Sequence, residues 1–139
     1  MPFRKWYGSS QPKVRWVIVE ILIVGSNCLD QKHLNDLTRD PQQRVVHVDS
    51  GEEALQQVRL RAYDLILLDL SLRDISGPDL IPKIKGELPE VKVIVTTESN
   101  SRELETEVRE KGIIFYLIKP IDTRYLRSII DHLTTVLAK

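Results

Sequence analysis

The stretch "YDLILLDLSL", Tyr63 to Leu72, sets the problem of this chain. Four apolar residues, Leu65 to Leu68, run straight into a lone carboxylate, Asp69. A short, continuous apolar run is the pattern of a strand covered on both faces, as in a parallel sheet. A carboxylate at the edge of such a layer costs several kcal/mol unless something compensates it. Asp69 therefore has either a structural partner or work to do.

Further runs of strand length lie on either side: "EILIVG" (20–25), "VVHV" (45–48), "VKVIVT" (91–96) and "IIFYLI" (113–118). Segments of helical period separate them, and their ends are marked. Ser50-Gly51-Glu52-Glu53 forms a capping box before Ala54, Leu55 and Val58. Pro78 suits the first turn of a third helix, which Pro82 should kink or delay. Asn100 with Glu103 repeats the capping pattern ahead of a fourth helix over about 101–111, where only Leu104 and Val108 are apolar, and Gly112 closes it. Asp122 can cap a last helix with a stripe of Leu126, Ile129, Ile130, Leu133, Val136 and Leu137. Five βα units in succession predict a doubly wound α/β sandwich with right-handed crossovers.

The chain has 139 residues, 42% hydrophobic and 29% charged, enough for one domain with a real core. Its formal net charge of zero gives no global field toward nucleic acid or an acidic membrane, and neither is expected as a partner. A single cysteine, Cys28, forms no internal disulfide and suits a cytoplasmic location. The apolar stretch "WVIVEILIVG" (16–25) is too short to span a bilayer and is broken by Glu20. Asn27 is also a poor residue before a lipidated cysteine. Residues 1–15 read as an extension or linker ahead of a domain over 16–139, with Trp6-Tyr7 as an apolar pair that could dock on a neighbour. With no room after Leu137 for an effector domain, output is expected through a separate protein.

Ligands of such sheets bind beyond the carboxyl ends of the strands. There the sequence places Gly25-Ser26, Asp69, Thr96 and Lys119-Pro120. A carboxylate, a hydroxyl and an ammonium form a coherent set. Asp69 could attack phosphorus, Lys119 could pair with it, and Thr96 could donate to the new oxygens. The bland readings are an Asp69–Lys119 salt bridge, two β-branched strand residues at 96 and 97, and a half-buried Tyr116. His33, His47 and His132 share no metal-ligand spacing.

"LILLDLSL", Gly77 eight residues after Asp69, "VIVTTES" and "YLIKP" follow one another in order. Together they resemble the receiver domain of bacterial two-component response regulators, over residues 20–138. The resemblance implies a five-stranded parallel, flavodoxin-like sheet of order 2-1-3-4-5. It implies Asp69 as phosphoacceptor, Thr96 as switch hydroxyl, Lys119 as the ammonium, Tyr116 as switch aromatic and a frequently cis bond at Lys119–Pro120. It also implies a signalling role without turnover, a sensor histidine kinase or phosphotransfer protein as donor, and a downstream effector. A homodimer through helix four, strand five and helix five, aided by Arg124 and Arg127, fits the same pattern.

The sequence departs from the family after strand one, where two acids usually help to hold magnesium and this chain has Gly25 and Ser26. Asp69 and the backbone carbonyl of Ser71 are then the expected ligands, and Mg2+ should bind weakly. Glu20 lies before the apolar strand and offers no help; Asp at 25 and 26 should strengthen the site, provided the loop can carry both charges. Arg73 replaces the usual proline. Two mechanisms follow: phosphorylation of Asp69 with weak metal help, or a phosphorylation-independent binding module. An aspartate-nucleophile phosphatase would need a second acid where Ser71 stands. A flavodoxin-like cofactor site at Gly25-Ser26-Asn27 leaves Asp69 and Lys119 unexplained.

Overall fold

The apolar runs form strands because alternate side chains can be buried on opposite faces of one sheet. In the computed structural model, which describes residues 18–26 and 28–138, five parallel strands lie in the order β2-β1-β3-β4-β5. The elements are β1 (Val19–Val24), α1 (Gln31–Arg39), β2 (Gln43–Val48), α2 (Gly51–Leu60), β3 (Leu65–Asp69), α3 (Gly77–Glu87), β4 (Lys92–Thr97), α4 (Arg102–Glu110), β5 (Phe115–Ile118) and α5 (Thr123–Ala138). This is the expected five-stranded, flavodoxin-like sandwich. The proposed extension at 1–15, with Trp6-Tyr7, lies outside the described residues.

Parity along the strands divides the core. Leu22, Val24, Ile66, Leu68, Val93 and Val95 pack against Ala54, Val58, Leu80, Ile81, Ile84 and Val108 of α2 to α4. Ile21, Ile23, Leu65, Leu67 and Ile94 pack against Leu37 of α1 and Leu126, Ile129 and Ile130 of α5. β1 and β3 are central and wholly buried, so the strand carrying Asp69 cannot shift register without turning apolar side chains over.

Several local expectations need correction. Glu20 lies inside β1, not before it, and is 2% exposed between Arg44 (3.5 Å) and Arg61 (3.7 Å). The α4 cap is Ser101, whose hydroxyl accepts from the Leu104 amide; Asn100 stands one residue too early. Pro82 neither delays nor ends α3, which starts at Gly77 under a Ser76 cap. Pro82 faces solvent, where water can take the carbonyl that its missing N–H leaves behind. Val136 leaves the α5 stripe and is 51% exposed. The Ser50 capping box, by contrast, forms: Ser50 Oγ accepts from the Glu53 amide and donates to the Glu53 carboxylate, both at 3.1 Å.

Candidate functional site

The carboxyl ends of β1, β3 and β4 open on a cleft of about 770 Å3, lined by Gly25, Ser26, Asp49, Ser50, residues 69–74, residues 97–99 and Leu104. Asp69 is its innermost charge, 2% exposed. Its Oδ1 accepts from the Ser71 amide at 3.0 Å and from the Ser71 hydroxyl at 2.7 Å. Its Oδ2 accepts from Lys119 Nζ at 2.8 Å. Burial pushes the carboxyl up, but Lys119 and the two Ser71 donors outweigh it and hold Asp69 below the ordinary carboxylate range. The charge at the end of β3 is thus fully compensated from within the chain.

Lys119 reaches Asp69 because its amide continues the ladder of β5 on β4, donating to the Thr97 carbonyl at 2.8 Å. The Lys119–Pro120 peptide is cis, as the resemblance implies. Lys119 approaches from the side of α1 and α5, where it shares a smaller hollow with Cys28, His33 and Pro120.

Thr96 does not stand in the cleft wall. It is wholly buried, and its Oγ1 lies 3.4 Å from Cys28 Sγ, behind Asp69. Burial pushes the Cys28 thiol up to about 12. The hydroxyl that lines the cleft belongs to Thr97, whose Oγ1 accepts from the Ser99 amide at 3.0 Å. The correction follows from parity: Val93, Val95 and Thr97 share one face of β4, whereas Ile94 and Thr96 share the other. Two adjacent threonines hid this in the sequence, because nothing in the chain alone says on which face the cleft opens.

Tyr116, half-buried on β5, donates from Oη to the Ser99 carbonyl at 3.1 Å, so it meets the β4–α4 loop at the residue whose amide donates to Thr97. Burial and the nearby Glu105 charge push its phenol up. Two residues missed by sequence reasoning hold the rim. Asp74 caps α2 from the β3–α3 loop, accepting from the Gly51 amide at 3.0 Å and the Glu52 amide at 2.9 Å. His47 Nε2 lies 2.9 Å from the Gly25 carbonyl. Neither carries a sequence signal, since both act across loops distant in the chain.

Gly25 is required where it stands. Its φ is +113°, and a Cβ built on it would come within 2.7 Å of Asp69 Cβ. The end of β1 has therefore closed on Asp69 to a distance that admits no side chain at 25, and an Asp there would be strained. The condition set on acids at 25 and 26, that the loop carry both, is therefore not met at 25.

Residues 21–131 match the response regulator receiver domain family, and the chain belongs to it. It is 32% identical over 113 residues to the transcriptional regulatory protein ZraR of Escherichia coli O157:H7, covering 81% of this chain and 26% of that one. The chain thus spans about a quarter of the length of that curated relative. A CheY-like receiver domain protein of Methanospirillum hungatei JF-1 superposes with a TM-score of 0.77 at 24% identity, covering 86% of this chain and 96% of that one. The receiver domain of sensor histidine kinase PA1611 from Pseudomonas aeruginosa PAO1 superposes with a TM-score of 0.71 at 25% identity, covering 86% and 99%. That domain was solved with a magnesium ion coordinated in its active-site cleft. Receiver domains are signalling modules. Among the described residues no helix is long and apolar enough to cross a membrane.

The residues here do not fit a resident magnesium ion. Magnesium wants near-octahedral oxygen ligation, with one or two carboxylates besides water and phosphate. Asp69 already holds three donors, Gly25 excludes a side chain, and Ser26 brings no charge. Among the described residues there is no group of three or more His, Cys, Asp or Glu able to hold a metal.

Proposed function

We propose that this chain accepts a phosphoryl group on Asp69 from the phosphohistidine of a sensor histidine kinase or phosphotransfer protein, and signals the change to an effector protein. The observation that carries the reading is the 2.8 Å contact of Lys119 Nζ with Asp69 Oδ2 beside an open cleft. An Asp69 oxygen forms a bond to phosphorus while the bond from phosphorus to the donor nitrogen breaks. The electron pair returns to the donor imidazole, which takes up a proton. Lys119 faces the oxygens of the acyl phosphate, and Thr97, in the cleft wall, takes the hydroxyl role first given to Thr96. Thr97 and Tyr116 meet the same β4–α4 loop through Ser99, which gives the cleft a route to the α4–β5–α5 face.

On that face Ile118 and Tyr125 are 40% and 48% exposed, which suits an effector or a second copy of the chain. Arg124, beside Asp122 at 3.6 Å, instead lines a hollow against α1 with Lys32, His33 and Asp36. Arg127 is bound to Asp40 beside α1 at 3.1 Å and belongs to that same surface. The second reading, a phosphorylation-independent binding module, is favoured by the engagement of both Asp69 oxygens. Intact mass after incubation with a small phosphodonor, beside Asp69→Ala, separates the two. An added phosphoryl group on the wild type alone, labile to alkali, supports acceptance. No addition, even with a cognate kinase, leaves the binding module.

A further inference from the structure

An ionised carboxylate offers about four lone-pair sites. At Asp69 three are filled, by the Ser71 amide, the Ser71 hydroxyl and Lys119. The amide and hydroxyl both fall on Oδ1, which leaves that oxygen no free direction. The hydroxyl contact, at 2.7 Å, is the shortest of the three. Unlike the amide it is optional, because a serine at 71 is dictated neither by burial nor by backbone geometry: the residue is exposed and ends no regular element. On the opposite side the glycine at 25 lets the backbone approach Asp69 where an acid would otherwise stand. The two features agree: negative charge is missing on one side of Asp69, and a donor is built in on the other.

We propose that the Ser71 hydroxyl, together with Lys119, stands in for the divalent cation at Asp69, and competes with any cation for Oδ1. Ser71 is a positioning residue: it acts on the reacting carboxylate and not on the phosphodonor. For its consequence, phosphoryl uptake indifferent to a chelator, the inference rests on Asp69 as acceptor; the competition itself does not.

The test is a Mn2+ titration of the whole chain without phosphodonor, read as paramagnetic broadening of the amide signals of residues 69–72. Wild type, Ser71→Ala and Ser71→Thr are compared, with Asp69→Asn to show that the broadening comes from this site. Removing the hydroxyl should tighten Mn2+ binding by about tenfold, the scale of one hydrogen bond to a charged group. Ser71→Thr, which keeps a hydroxyl, should match the wild type. Equal responses of wild type and Ser71→Ala, including no response from either, overturn the proposal. So does a gain in Ser71→Thr as large as in Ser71→Ala, since that marks a disturbed loop. Because no phosphoryl group is involved, the titration stands apart from the mass measurement above. Failure of acceptance and failure of the competition are therefore separately visible.

Discussion

Two buried acids lie at opposite ends of the sheet, and only one of them faces a cleft. Glu20, near the amino end of β1, and Asp69, at the carboxyl end of β3, are each 2% exposed. Glu20 is approached by two guanidinium groups, Arg44 at 3.5 Å and Arg61 at 3.7 Å. Asp69 is held by one ammonium at 2.8 Å and by the two donors of Ser71. Burial of a carboxylate is therefore no mark of function by itself in this fold. What separates the two is access. Asp69 borders a cleft large enough for a reacting group, whereas Glu20 sits under side chains that seal the other end.

The comparison breaks if the two acids respond alike when their cations are removed. Arg44→Ala with Arg61→Ala should destabilise the fold by about 3 kcal/mol, the scale for breaking a buried ion pair. Urea unfolding measures it, and phosphoryl uptake per folded molecule should stay unchanged. A loss below roughly 1 kcal/mol would put Glu20 with exposed ion pairs, which contribute little.

Lys119→Ala should cost less stability, about 1–2 kcal/mol, because Ser71 keeps its two bonds and the cleft admits water to the freed oxygen. Its effect on chemistry should be far larger. Uptake from a small phosphodonor should fall by roughly 10²-fold, as expected when a preorganised charge is removed from developing negative oxygens. Retained uptake would reduce the Asp69–Lys119 pair to a structural bridge like the one at Glu20.

Position 25 sharpens the contrast from the backbone side. Gly25→Ala places a Cβ at φ +113° and 2.7 Å from Asp69 Cβ. It should cost about 1–3 kcal/mol as backbone strain. Ser26→Ala, in the exposed turn beside it, should stay within about 0.5 kcal/mol. Thermal melts of both variants check the difference.

The fold was legible because parallel strands buried on both faces leave uninterrupted apolar runs, and "LILL" (65–68) and "VIV" (93–95) show them plainly. Asp69, Lys119 and the cis Lys119–Pro120 bond followed from the same runs and the family resemblance. Thr97 did not, because adjacent threonines point to opposite faces and the cleft lies beyond only one of them. Glu20 was misplaced for a related reason. A charge inside an apolar run looks like a boundary until Arg44 and Arg61 are brought to it from β2 and the end of α2. The Ser71 hydroxyl was invisible because a serine two residues past an acid is ordinary until its rotamer is seen.

The smallest expected effect comes from a third carboxylate, Asp74, which is exposed and serves as the reference for the two buried ones. The Gly51 and Glu52 amides at the start of α2 hold it below the ordinary carboxylate range. A lowered folded value means that the unfolded chain binds this proton more readily. The stabilisation is therefore complete above the unfolded carboxylate range, and it is lost as pH falls through the folded value. Asp74→Asn should melt below the wild type by a constant margin at neutral pH. That margin should shrink steadily as pH drops below about 5, as the wild-type carboxyl becomes protonated first in the unfolded chain and then in the fold. Parallel melting curves over this window would mean that the cap contributes through shape and not through charge. The acid sensitivity of the fold would then have to come from other carboxylates, with Asp69, also held below the ordinary range, as the first to examine.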